Sequence, residues 1–138
     1  MSDDAAARFK PAYPFQELVG FRKTEFGDGF SRFELQLAES HMNRGGIPHG
    51  GVYAAMLDSA LGSAGCYIGK DNDFRAAVTL NLNISFVAPP RGTTLVAEGR
   101  AIGGGRSVYF AEGEIRDNEG TLVARASGTF KYVSPRKA

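Results

Sequence analysis

One carboxylate stands alone in a long uncharged stretch of this chain. Between Gly50 and Gly69 the only charged side chain is Asp58, set among Ala54, Ala55, Leu61 and Gly62. A carboxylate in such company needs a partner or a raised pKa, and groups of this kind concentrate where acid–base or nucleophilic chemistry is done. Two structural roles compete with that one: capping another backbone segment, or pairing with a distant arginine. Just upstream, Asn43, His49, Gly50 and Gly51 fall at or before the expected start of a helix. Backbone N–H groups there lack internal partners and the helix dipole favours negative charge, so a developing oxyanion would be stabilised. From Gly50 to Asp58 is about 12 Å along a helix. One helix therefore does not bring both groups to a single carbon, whereas two copies related by a two-fold axis can.

These residues need a helix and a sheet to hold them. Residues 50–67 have helical length, good helix formers in Ala, Met and Leu, and small or apolar side chains nearly all the way round, which predicts a buried helix. A loop at 41–49 precedes it. Before the loop, Gly27-Asp28-Gly29 separates runs 21–26 and 30–37, which read as a hairpin, and residues 14–19 offer one helical turn. After a turn at 69–73, strands are expected at 76–88, 93–102, 107–115 and 121–133. The clearest is the first, where Val78, Leu80, Leu82, Ile84 and Phe86 alternate with Thr79, Asn81, Asn83 and Ser85. A hairpin, one long helix and a four-stranded meander predict an α+β fold, an antiparallel sheet wrapped around a central helix. Residues 1–13 read as a flexible tail and 14–134 as a single domain.

Composition narrows the function classes. The 138 residues carry 16 basic and 15 acidic side chains, a net charge of +1, which argues against a nucleic-acid partner held by bulk phosphate contacts. No apolar run approaches the roughly 18 residues of a membrane span. The first residues include Asp3 and Asp4 and no apolar core of a secretory signal, so a cytoplasmic protein without a membrane partner is expected. The single cysteine, Cys66, makes no internal disulfide. Glycine is over-represented, 18 residues of 138, which points to tight turns and close backbone approaches.

The pattern His41-x-Asn43-x-x-Gly46-x-x-His49-Gly50-Gly51, with Asp58 seven residues after Gly51, resembles the PaaI-type acyl-CoA thioesterases of the hotdog-fold superfamily. The likeness continues through V-T-L-N-L-N-I-S-F at 78–86, the turn at 89–92, the Gly105-Arg106 pair and G-T-F at 128–130, covering roughly residues 30–133. It implies a hotdog fold and a homodimer whose sheets join edge to edge, paired again into a homotetramer. It also implies roles. Asp58 is the nucleophile or the base that activates water. The Gly50 N–H polarises the thioester carbonyl, Asn43 approaches the thioester, His49 positions Asn43, and Thr79 helps hold the water. Simple alternation puts Thr79 on the face opposite Val78 and Leu80, so it reaches Asp58 only if that polar face, or a bulge, turns toward the site. Gly51, Arg91, Gly105 and Arg106 are the candidate contacts to acyl-CoA. Lys70 and Arg75 are further basic residues near turns.

A thioester carbonyl is already electrophilic, so a positioned carboxylate and an oxyanion donor suffice. No cofactor is expected, and no metal, because His41 and His49 have no Cys or carboxylate at ligand spacing. Cys66, without an adjacent base, reads as a small buried hydrophobe. Tyr53, Met56 and Leu57 read as core residues whose family counterparts partly shape the acyl pocket. Two other functions fit the same fold. One is a non-catalytic acyl-CoA-binding module. The other is a hydratase or dehydratase, whose His-plus-acid motifs are not found here.

Overall fold

The computed structural model describes residues 9–70 and 74–134. Helix α1 (Pro14–Val19) leads into the hairpin of β1 (Arg22–Gly27) and β2 (Phe30–Gln36). A 3-10 turn (Glu39–His41) and a loop carry the chain to the long helix α2 (Gly50–Ala64). Strands β3 (Ala77–Phe86), β4 (Thr94–Gly104), β5 (Val108–Asp117) and β6 (Leu122–Tyr132) follow. All six strands form one antiparallel sheet in the order β1-β2-β4-β5-β6-β3. The strand that directly follows α2 therefore lies at one edge, paired only with β6, so the expected four-stranded meander holds for β4, β5 and β6 but not for β3. This is the hotdog arrangement, a curved sheet around one long helix.

Helix α2 is held by a stripe at helical spacing: Tyr53, Met56, Leu57, Ala60, Leu61 and Ala64 are buried. Met56, Leu57 and Leu61 are wholly buried, and each such side chain stabilises the fold by roughly 1.5–3 kcal/mol. Phe33, Leu35, Leu95, Ile115 and Phe130 meet them from the sheet. At the crossing the backbones nearly touch. A methyl group on Gly99 of β4 would lie inside contact distance of the Ala60 carbonyl, so only glycine lets the helix settle onto the sheet.

Two expectations about α2 need correction. The helix ends at Ala64 rather than at residue 67. The Tyr109 hydroxyl donates to the Leu61 carbonyl at 2.9 Å and the Tyr132 hydroxyl to the Gly65 carbonyl at 2.6 Å. These phenols take carbonyls that another helical turn would have used. The helix is also not buried all round. It buries one face, while Gly51 and Asp58 on the other are exposed in the single chain. The small residues that suggested full burial instead leave an open, shallow face.

Of the expected tail 1–13, residues 1–8 lie outside the described residues. Phe9 is buried with the core, and the Tyr13 hydroxyl shares a hydrogen bond of 3.2 Å with Ser59 on α2, so this portion packs on the body. Residues 71–73 of the expected turn are likewise outside the described residues. Among the described residues no helix is long and apolar enough to cross a membrane.

Candidate active site

Asp58 is tethered to β3. The Thr79 hydroxyl donates to Asp58 Oδ1 at 2.6 Å, while Oδ2 has no protein partner among the described residues. Strict alternation forbids this contact, and a bulge permits it. Thr79 pairs with Phe130 but Asn81 pairs with Thr129, so Leu80 is an extra residue in the ladder. Directly paired residues point to the same side of a sheet. Thr79 therefore shares the helix-facing side with buried Phe130. Beyond the bulge, Leu82 and Ile84 face that side too, opposite Gly128 and Ala126. One inserted residue thus turns a polar side chain inward before the bulge and apolar ones inward after it.

The loop before α2 is built by its own hydrogen bonds. Asn43 Oδ1 accepts from the N–H groups of Gly45 at 2.8 Å and Ile47 at 3.3 Å. The Asn43 N–H donates to the Ile47 carbonyl at 2.7 Å, and Gly46 takes the left-handed conformation the turn requires, with φ 80°. Buried His41 anchors the base of the loop, accepting at Nδ1 from the Ala38 N–H and bonding the Val19 carbonyl through Nε2 at 2.6 Å. His49 is the N-cap of α2, and its Nδ1 accepts from the Gly51 N–H at 2.8 Å.

This arrangement sorts the sequence candidates. The Gly51 N–H is already satisfied by His49, whereas the Gly50 N–H has no acceptor among the described residues and remains the open donor at the helix start. No hydrogen bond joins His49 to Asn43 among the described residues. The oxygen of Asn43 serves the loop and its amide N–H groups are left for a ligand. Gly50 and Asn43 line one cleft of about 360 Å³ with Tyr53, Phe86 and Val87. Asp58 and Thr79 line another, of about 470 Å³. Within one chain Gly50 and the Asp58 carboxylate line different clefts.

The cleft at Asp58 contains residues that sequence reasoning did not single out: Phe9 and Tyr13 wall it from the N-terminal side, and Lys23 reaches it from β1. Cys66, just past the end of α2, lines it too. Burial pulls the Lys23 ammonium down to about 8, partly opposed by the nearby Cys66. Burial likewise pushes the Cys66 thiol up, which suits the inert residue expected there. The signal for Lys23 was present in the chain: it stands two residues after Phe21, in phase with an inward-facing aromatic.

A model of the thioesterase superfamily matches residues 45–124, more than half of the chain. The chain belongs to the thioesterase superfamily. It is 30% identical over 129 residues to the acyl-coenzyme A thioesterase THEM4 of Bos taurus, covering 90% of this chain and 51% of that longer protein. The BH2602 protein of Bacillus halodurans, solved with CoA, superposes with a TM-score of 0.77 at 28% identity, covering 96% of this chain and 86% of that one. The PaaI protein of the E. coli phenylacetic acid degradation operon shares the fold, with a TM-score of 0.77 at 19% identity over 88% of this chain and 86% of its own. Membership makes the chain a thioester hydrolase.

The basic residues expected to meet substrate lie apart in this thioesterase-superfamily chain. Arg91 sits in the turn between β3 and β4, and its Nε donates to Thr121 Oγ1 at 3.1 Å. Gly105 and Arg106 lie in the turn after β4, where the Gly105 N–H bonds the Val108 carbonyl and Arg75 donates to the Arg106 carbonyl at 3.0 Å. The two turns are separated by the length of β4, about 35 Å at strand rise, so Arg91 and Arg106 of one chain do not grip the same phosphate. Arg91 is placed instead by Asp117, whose carboxylate accepts from the N–H groups of Arg91, Gly92, Glu119 and Thr121 at 2.7, 2.9, 3.0 and 2.8 Å. Burial alone would raise the Asp117 carboxyl, but those four donors hold it well below the usual carboxylate range.

Proposed function

We propose that this chain hydrolyses acyl-CoA thioesters to a carboxylic acid and CoA in a site shared by two copies. The observation that carries the reading is Asp58, the one charged side chain of α2, held by Thr79 at a cleft with one oxygen free. In the base form of the reaction, Asp58 takes a proton from water and the hydroxide adds to the thioester carbon. The oxyanion accepts a hydrogen bond from the Gly50 N–H of the second copy. The C–S bond then breaks and the proton passes to the leaving thiolate. In the nucleophilic form the carboxylate itself adds and water cleaves the resulting anhydride; the same residues serve both. The amide N–H of Asn43 is placed to donate toward the thioester.

Several features support a homodimer. The edge strand β3 exposes Val78 and Leu80, 47% and 56% accessible, and the open face of α2 adjoins it. A long apolar edge strand is a template for pairing. A second copy on this edge would cover both and bring its Gly50 toward Asp58. Light scattering distinguishes this dimer from the tetramer the resemblance implies. The candidate contacts Arg91, Gly105 and Arg106 lie on exposed turns, where CoA phosphates would be met in solvent.

The test is thiol release measured with Ellman's reagent on phenylacetyl-, hydroxybenzoyl-, butyryl-, hexanoyl- and decanoyl-CoA. Turnover by the wild type and its loss, by orders of magnitude, in a folded Asp58→Asn variant supports the reading. Binding of acyl-CoA without any release overturns it in favour of a binding module.

A further inference from the structure

Lys23 is an ammonium on the apolar side of the sheet. It pairs with Phe33 across the hairpin and shares the inward face with it. Its Nζ lies 3.7 Å from the ring centroid of Phe26, 5.5 Å from that of Phe33 and 5.9 Å from that of Phe74, a cage of negative ring faces. No hydrogen bond and no carboxylate meets it among the described residues, so three donors stand ready for an acceptor. A desolvated cation without an anion is costly, and burial already draws it toward the neutral form. The amine lines the cleft whose other end is Asp58 and Thr79.

The length of that cleft is set by α2. From Asp58 the helix runs on to its end at Ala64, about 9 Å, and Lys23 lies near Cys66 just beyond that end. The lining between is small at Ser59, Gly62, Ser63 and Ala77 and aromatic at Phe33 and Phe74. Among the described residues it carries three cations, Lys10, Lys23 and Arg75, against the single carboxylate of Asp58. A medium-length acyl chain whose carbonyl sits at Asp58 would bring its far end to Lys23.

We infer that Lys23 is a specificity-determining residue that receives an anionic tail, so that the preferred substrates are CoA thioesters of dicarboxylic acids. The inference rests on the acyl-CoA reading above and names its substrate class. The tail carboxylate supplies the acceptor that the aromatic cage lacks, and the reaction at the thioester is unchanged.

The experiment compares kcat/KM for adipoyl-CoA and hexanoyl-CoA, two six-carbon acyl groups that differ in the terminal carboxylate. The wild type should favour adipoyl-CoA by roughly tenfold or more, the worth of a hydrogen bond to a charged group. Lys23→Met keeps the apolar stem and should abolish the preference while sparing hexanoyl-CoA; Lys23→Arg should retain much of it. Equal rates on the two substrates in the wild type, or a Lys23→Met loss that is the same for both, overturns the inference and leaves acyl-CoA hydrolysis standing. The second pattern would place the amine on the CoA portion. If the wild type releases thiol from neither compound nor from any other acyl-CoA, the acyl-CoA reading falls, and the inference with it.

Discussion

Replacing Thr79 by valine removes one hydroxyl and keeps the shape of the side chain. In the native site that hydroxyl donates to Asp58 Oδ1 at 2.6 Å, a short, charge-assisted contact. Hydrogen bonds to charged groups are worth about 1.5–3 kcal/mol. Both residues are exposed in the single chain, so the lower end applies. Without the tether the carboxylate rotates, and its free oxygen spends less time aimed at the reacting carbon or its water. About 1.5 kcal/mol lost from the transition state lowers kcat roughly tenfold. KM should change little, because Thr79 positions Asp58 rather than the substrate. Steady-state thiol release on the best substrate of the panel gives both constants, and circular dichroism establishes that the variant is folded. Thr79→Ser, which keeps the donor, should stay within a few-fold of the wild type. A Thr79→Val enzyme with the wild-type kcat, or one altered only in KM, would refute the tether.

Three further predictions concern the frame around the site. His49→Ala removes the cap on the Gly51 N–H and should cost about 1 kcal/mol, lowering Tm by about 4 °C in a thermal melt. Asp117 has a depressed folded pKa, so its stabilisation is present above the unfolded value of about 3.9 and is lost as pH falls through the lower folded value. Urea melts between neutral pH and pH 2 should show wild type and Asp117→Asn differing most at neutral pH and converging at the acid end; parallel curves would contradict this. Cys66 is buried with its thiol pushed up, so Ellman's reagent should label it slowly in the native protein and rapidly in denaturant.

Much of this architecture is legible in the chain wherever local periodicity and packing agree. The alternation at 78–86 marks a strand, and the lone Asp58 in an uncharged helix marks a candidate site; that the strand lies at the sheet edge does not follow from its sequence. What stayed hidden depends on contacts distant in sequence. The bulge at Leu80 decides which way Thr79 points, and it arises from pairing with β6, which no window around residue 79 contains. The helix stops at Ala64 because hydroxyls from β5 and β6 take its carbonyls. Small residues on α2 suggested burial on every side, yet small side chains fit an open face equally well, and that face is exposed in the single chain. Lys23 escaped notice because a lysine in a hairpin ordinarily points to solvent. Its inward direction follows from pairing with Phe33, and the register shift between Lys23 and Glu25 then brings Phe26 to the same core side.

The central claim is that Asp58 of one copy and the Gly50 N–H of another act on the same thioester. Gly50→Pro deletes that N–H: proline suits the first helical position, and His49 before it already has the extended backbone proline demands, with φ −62° and ψ 140°. The Cβ it adds would stand 3.2 Å from the Phe86 ring, so Gly50→Ala, which adds the same Cβ and keeps the N–H, is the control and should stay active. Asp58→Asn and Gly50→Pro should each be inactive as pure proteins. Co-expressed at equal levels, they form mixed dimers in which one of the two sites is intact, and about a quarter of the wild-type thiol-release rate should return. A mixture no more active than either variant alone would contradict a shared site.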